Sequence, residues 1–191
     1  MHQDLGRARE IIERATAGMT PDEMSRHPEG KWSTAGILEH LEKAFSTSAQ
    51  RLNRCVEDGA PYTKPDTWTQ RFSTWLVVGV GYFPTGREAP EYVRPEGRPA
   101  EQSLAAFKAA LEALDAACAA AEQRFGLDAK VANHPILGKF SVRQWRRFHL
   151  IHTRHHAKQI ACLRRTGDAI PATPAPSRET VTEGLRRRPA P

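Results

Sequence analysis

A chain of 191 residues with a formal charge of +6 suits one domain with a substantial core, and leaves some length for a tail or a long connection. Three cysteines are too few for a disulfide framework and fit a reducing cytoplasm. The charged start MHQDLGRAREIIER lacks the apolar centre of a secretory signal, and the longest apolar run, Trp75 to Phe83, falls far short of the roughly 20 residues that span a bilayer. Pro171 to Pro191 carries four arginines against two glutamates, so part of the positive charge belongs to the chain end, and the rest is an ordinary surplus.

In chain order, Leu5, Ala8, Ile11, Ile12 and Ala15 recur at helical spacing and predict a first amphipathic helix over Asp4 to Ala17, stopped at Gly18. Thr20-Pro21-Asp22-Glu23 has a capping residue, a proline in the first helical position and an acid three residues after the cap, which starts a short turn ending near His27-Pro28. Ser33 caps a second long helix whose stripe of Leu38, Leu41, Phe45, Ser48 and Leu52 runs to about Glu57. Gly59, Pro61 and Pro65 break the chain over Asp58 to Asp66.

Thr67 to Tyr82 reads as a more apolar helix. Its β-branched and aromatic content would also suit a strand, but no partner strand is evident. Four prolines and two glycines between Pro84 and Pro99 predict an extended surface loop. Leu104, Phe107, Leu111, Leu114, Cys118, Ala121 and Phe125 keep a bundle seam over Glu101 to Phe125. A turn at Asn133-His134-Pro135 and Gly138 then leads to Ser141 and Gln144, the two ends of a capping box that opens the last helix. The result is an all-α four-helix bundle with a long crossover connection and an additional apolar helix, formed by one domain over residues 1–167. Residues 168–191, rich in Pro, Ala and Arg, read as a flexible tail.

The last helix, SVRQWRRFHLIHTRHHAKQIACLRRTG, carries four histidines. His152 and His156 are four residues apart, about 40° apart on one face, alongside Trp145, His149, Gln159 and Leu163. Buried imidazoles need hydrogen-bond partners or a metal, and a pair at this spacing can hold one ion. His40, on the flank of the second helix's stripe, sits where a side chain can reach a neighbouring helix. Three imidazoles from two helices would leave one coordination position open, as in catalytic zinc-type sites. His149 reads as a packed residue, with a fourth ligand or proton carrier as the other options. His155 reads as a partly exposed neighbour, and Gln159 either orients a ligand or contacts substrate, or closes a buried interhelical hydrogen bond. Trp32, Trp145 and Cys162 read first as packed residues.

Trp32-Ser33 with His40 seven residues after the serine, in Ile37-Leu38-Glu39-His40-Leu41, together with the later His152-x-x-x-His156-x-x-Gln159, resembles the DinB-like superfamily. His134-Pro135, Gly138, Ser141, Gln144-Trp145 and His155-His156 are similar to an uncharacterised branch of it. The resemblance implies a four-helix bundle that holds a divalent metal, zinc or nickel, on His40, His152 and His156, and that often forms homodimers. It also implies a small-molecule substrate, since characterised relatives include thiol-dependent transferases and a thiol-dependent maleylpyruvate isomerase.

Three functions follow as expectations. The first is a metal-dependent enzyme, a thiol transferase or hydrolase, in which the ion activates water or a low-molecular-weight thiol, with Gln159 and His149 as further contacts. The second is a non-enzymatic bundle that uses its histidines for packing or for binding a small molecule. The third, nucleic-acid binding through Arg143, Arg146, Arg147, Arg154, Lys158, Arg164 and Arg165, ranks last, because these residues lie opposite the histidines and read as a solvated face without interleaved aromatics.

Overall fold

The computed structural model describes residues 1–83 and 88–167, and the expected tail over 168–191 lies outside the described residues. Four long helices build the core: α1 (Gln3–Thr16), α3 (Thr34–Glu57), α5 (Ala100–Phe125) and α6 (Val142–Gly167). The short α2 (Pro21–Ser25) turns the chain between the first two, and its capping box of Thr20 and Glu23 is present. Ser33 accepts the Gly36 amide at the start of α3. At the start of α6, Ser141 Oγ accepts the Gln144 amide while Gln144 Oε1 accepts the Ser141 amide. Local polar residues therefore set the helix starts.

The apolar stripes then decide the packing. Leu38, Leu41, Phe45 and Leu52 of α3 are fully buried, as are Leu111, Leu114 and Cys118 of α5, Leu5 and Ile12 of α1, and Trp145 and Leu150 of α6. Glu42 pairs with Arg98, Phe45 meets Phe107, and Arg124 reaches the neighbourhood of Gly59, so α3 and α5 run parallel. Parallel neighbours require a long crossover. His40 facing His152 and Phe45 facing His149 make α6 antiparallel to α3. No helix among the described residues is long and apolar enough to cross a membrane.

Four local expectations change. Where a simple turn was predicted, β1 (Lys130–His134) and β2 (Gly138–Ser141) form a small antiparallel hairpin, and Tyr62 donates its amide to the Val131 carbonyl beside it. The segments are too short for a period-two pattern to stand out. The predicted helix over Thr67 to Tyr82 is in fact α4 (Trp68–Thr74) running into a π-helical turn over Trp75–Val80. It is far more exposed than its composition suggests: α4 buries none of its residues, and Trp68, Phe72 and Trp75 are open to solvent. The described part of the loop before α5 is not simply an extended surface loop, because its 3₁₀ turn at Glu91–Val93 buries Val93. Finally, Arg146 is buried and paired with Glu122 of α5 at 2.5 Å, so it does not belong to the solvated face of α6.

The hairpin turn is tied to α4. Asp66 accepts the Lys139 amide at 2.7 Å, and the Thr74 hydroxyl donates to the Leu137 carbonyl. Gly138 sits at φ +88°, where a Cβ would run into the Asp66 carboxylate. Gly138→Ala is therefore expected to destabilise the protein by about 2 kcal/mol, from left-handed backbone strain plus the displaced carboxylate. Chemical denaturation would check it, and an unchanged midpoint would mean that the turn relaxes freely.

Candidate metal centre

Helices α3 and α6 bring His40, His152 and His156 together, all three buried. One ring nitrogen of each lies within 4.8 Å of the other two. Nε2 of His152 is 3.2 Å from Nε2 of His40 and 3.0 Å from Nε2 of His156. Nitrogens bound to one ion at 2.0–2.1 Å in tetrahedral geometry sit about 3.3 Å apart, so these separations match two edges of such a site.

The other ring nitrogens set the tautomers. His40 Nδ1–H donates to the Val93 carbonyl at 2.9 Å, and His156 Nδ1–H donates to Gln159 Oε1 at 2.7 Å. Each of these rings, kept neutral, then presents an Nε2 lone pair toward His152. A single N–H on His152 cannot serve two lone pairs well, and its own Nδ1 is buried with no hydrogen-bond partner. One cation at the common point would take the three Nε2 lone pairs, with the His152 proton carried on Nδ1, so the three nitrogens fit a divalent metal with an open position.

The surroundings keep the rings neutral. Burial is the largest cause in each case, holding His156 down to about 3 and His152 well below the usual imidazole range; neighbouring histidines add to both shifts, and Gln159 opposes the one at His156. Burial also lowers His40, although its bond to Val93 pulls the other way. Phe83 stacks on His152 with ring planes 8° apart, and Trp32 packs on His40 with centroids 5.0 Å apart.

The Val93 carbonyl is held in place from α3 itself. Glu39, one residue before His40 and 2% exposed, accepts the amides of Glu96, Gly97 and Arg98 and pairs with Lys43. Burial raises its pKa, but the amides of Arg98 and Glu96 and the Lys43 ammonium outweigh that and leave it lowered. The acid is visible in the sequence, but its main-chain partners carry no side-chain signature. Glu39→Ala is expected to cost about 2 kcal/mol by orphaning those amides and to weaken zinc binding roughly tenfold by releasing the carbonyl that orients His40. Thermal unfolding and zinc titration would check the two effects, and an unchanged zinc affinity would show that the loop holds its place without Glu39.

The trio opens on a cavity of about 1470 Å³, walled by Trp32, Trp68, Phe72, Phe83, Tyr92 and Phe148 among others. His155 and Gln159 both line it and touch through their Nε2 atoms at 3.3 Å. Gln159 is exposed, so the buried interhelical amide is not what forms. Cys162 is likewise exposed on the cavity rather than packed. Trp145 is fully buried, as expected.

His149 stands apart from the trio. It is fully buried between Phe45, Trp145 and Phe148, does not line the cavity, and neither ring nitrogen has a hydrogen-bond partner among the described residues. It is packed, as expected, with no ring hydrogen bond to the backbone among the described residues. His134, quoted only as part of a motif, does line the cavity. Its signal was the His-Pro before Gly138, which marked a turn and gave no hint of where the ring would face.

The sequence model of the DinB superfamily matches residues 4–160, most of the chain. No curated protein and no solved structure matches it.

Proposed function

The chain belongs to the DinB superfamily, and on that premise we propose that it is a metal-dependent enzyme in which His40, His152 and His156 hold Zn²⁺ or Ni²⁺. The observation that carries this reading is the pair of fixed tautomers, which turns the Nε2 lone pairs of His40 and His156 toward His152 Nε2 at the head of the cavity. When bound, the ion would supply a Lewis acid with an open position that favours the anion of a water or a small thiol, for attack on an electrophilic substrate. The chain's own residues do the rest. Val93 and Gln159 orient two ligands, Trp32 and Phe83 shield the rings from water, and the aromatic walls take up the apolar body of the substrate.

Elemental analysis of the purified protein tests the metal, with about one equivalent per chain expected. Zinc-loaded protein should then accelerate attack of a small thiol on 1-chloro-2,4-dinitrobenzene, and a chelator should abolish the gain. Stoichiometric metal with no acceleration across a panel of thiols, and none of ester hydrolysis by water, would overturn the enzymatic reading and leave the ligand assignment standing.

A further inference from the structure

His134 closes the hairpin turn with one edge of its ring. Nδ1 accepts the amides of Ile136 at 3.2 Å and Leu137 at 3.1 Å. An imidazole nitrogen that accepts two N–H bonds carries no proton, so the neutral ring must carry it on Nε2. That N–H has no hydrogen-bond partner among the described residues, and the residue forms part of the cavity wall. Burial, with the Arg51 charge as a smaller cause, holds the ring's pKa down to about 3. His134 is thus a neutral donor of fixed orientation.

Arg51 lines the same cavity. It is half-buried, its Nε is buried with no hydrogen-bond partner, and it makes no ion pair among the described residues. A half-buried guanidinium without a counter-charge is costly unless a ligand supplies one. Along α3 the wall runs His40, Ala44, Thr47, Ser48, Arg51, a continuous helical face. Eleven residues at about 1.5 Å each separate the Cα atoms of His40 and Arg51 by about 16 Å. The lining also includes the apolar side chains of Phe72, Leu76, Leu137 and Phe148.

We infer that Arg51 and the Nε2–H of His134 form an anion-recognising end of the cavity, so that the site takes an amphipathic organic anion, its carboxylate or similar oxyanion at Arg51 and its apolar body reaching toward the three histidines. This rests on the reading that the cavity is the substrate site of the metal centre. The guanidinium supplies charge and planar donors that match an oxyanion, and His134 adds a donor that needs no proton taken up.

Two fluorescent probes of similar shape separate charge from packing: 8-anilinonaphthalene-1-sulfonate, which is anionic, and N-phenyl-1-naphthylamine, which lacks the sulfonate. Arg51→Gln is expected to weaken the anionic probe about tenfold and to leave the neutral probe within about twofold. Arg51→Lys should fall between wild type and the glutamine variant. His134→Asn, whose side-chain oxygen can replace the Nδ1 acceptor but not the Nε2 donor, should also weaken only the anionic probe. Both probes are titrated with zinc-loaded and chelator-treated protein, and metal content is measured on each sample. Arg51→Gln binding the anionic probe as well as wild type, or losing both probes equally, would overturn the proposal. The same selectivity in metal-free protein would support the anion end even if the metal assignment failed.

Discussion

Replacing His152 with alanine is expected to lower zinc affinity at least about a hundredfold, more than the loss of any residue that only orients a ligand. His152 is the shared member of the cluster, with its Nε2 3.2 Å from that of His40 and 3.0 Å from that of His156. Removing it leaves two donors from different helices and opens the gap between them. Gln159→Ala provides the contrast, since it keeps all three donors and, of those three, frees the His156 ring alone from its 2.7 Å bond. A loss of roughly tenfold is expected there. Competition with a chromophoric chelator measures both. An alanine variant at position 152 that binds zinc like wild type would mean that the ion sits elsewhere.

The second large effect is acid lability of the metal-free protein. Burial, the first cause at each, holds His134, His149 and His156 down to about 3, and His152 well below the usual range. In the unfolded chain these rings take a proton near pH 6.5. Between 6.5 and about 3 the unfolded state therefore binds protons that the folded state refuses, so stability is full above 6.5 and falls as pH drops. Each such ring contributes about 1.4 kcal/mol per pH unit, hence about 4 kcal/mol per unit for the three held at about 3. An ordinary domain with 5–15 kcal/mol of stability would be exhausted roughly one to four units below 6.5. Thermal melts from pH 7.5 to 4.5 should show a steep fall, and zinc should raise the melting temperature most at the high end, where protons do not compete for the rings. A flat profile between pH 7 and 5 would mean that the folded protein accepts those protons.

The helices were legible because their caps and stripes are local. Ser33, Ser141 and Gln144 mark starts with side chains that bond three residues away, and the α3 and α5 stripes follow a fixed period. The pairing of His40 with His152 and His156 was readable from helix spacing together with the superfamily's motifs, and the geometry brings the three to one point. What the sequence did not carry depends on contacts far along the chain. The Val93 carbonyl, the amides of residues 96–98 held by Glu39, and the two amides on His134 are main-chain groups that every residue possesses. Gln159 was expected at the inward face by angle alone, but it lies beyond His156, where the helix emerges along the cavity and the amide is exposed. Arg146 illustrates the reverse case. A charge on a basic helix looks solvated until a single acid on a neighbouring helix, Glu122, takes it into the core.

The most direct test of the metal centre is X-ray diffraction from zinc-soaked crystals at wavelengths on either side of the zinc edge. One anomalous peak within about 2.0–2.1 Å of Nε2 of His40, His152 and His156 is the predicted result. Histidines that keep only protein hydrogen bonds at those nitrogens, with no peak between them, would contradict it.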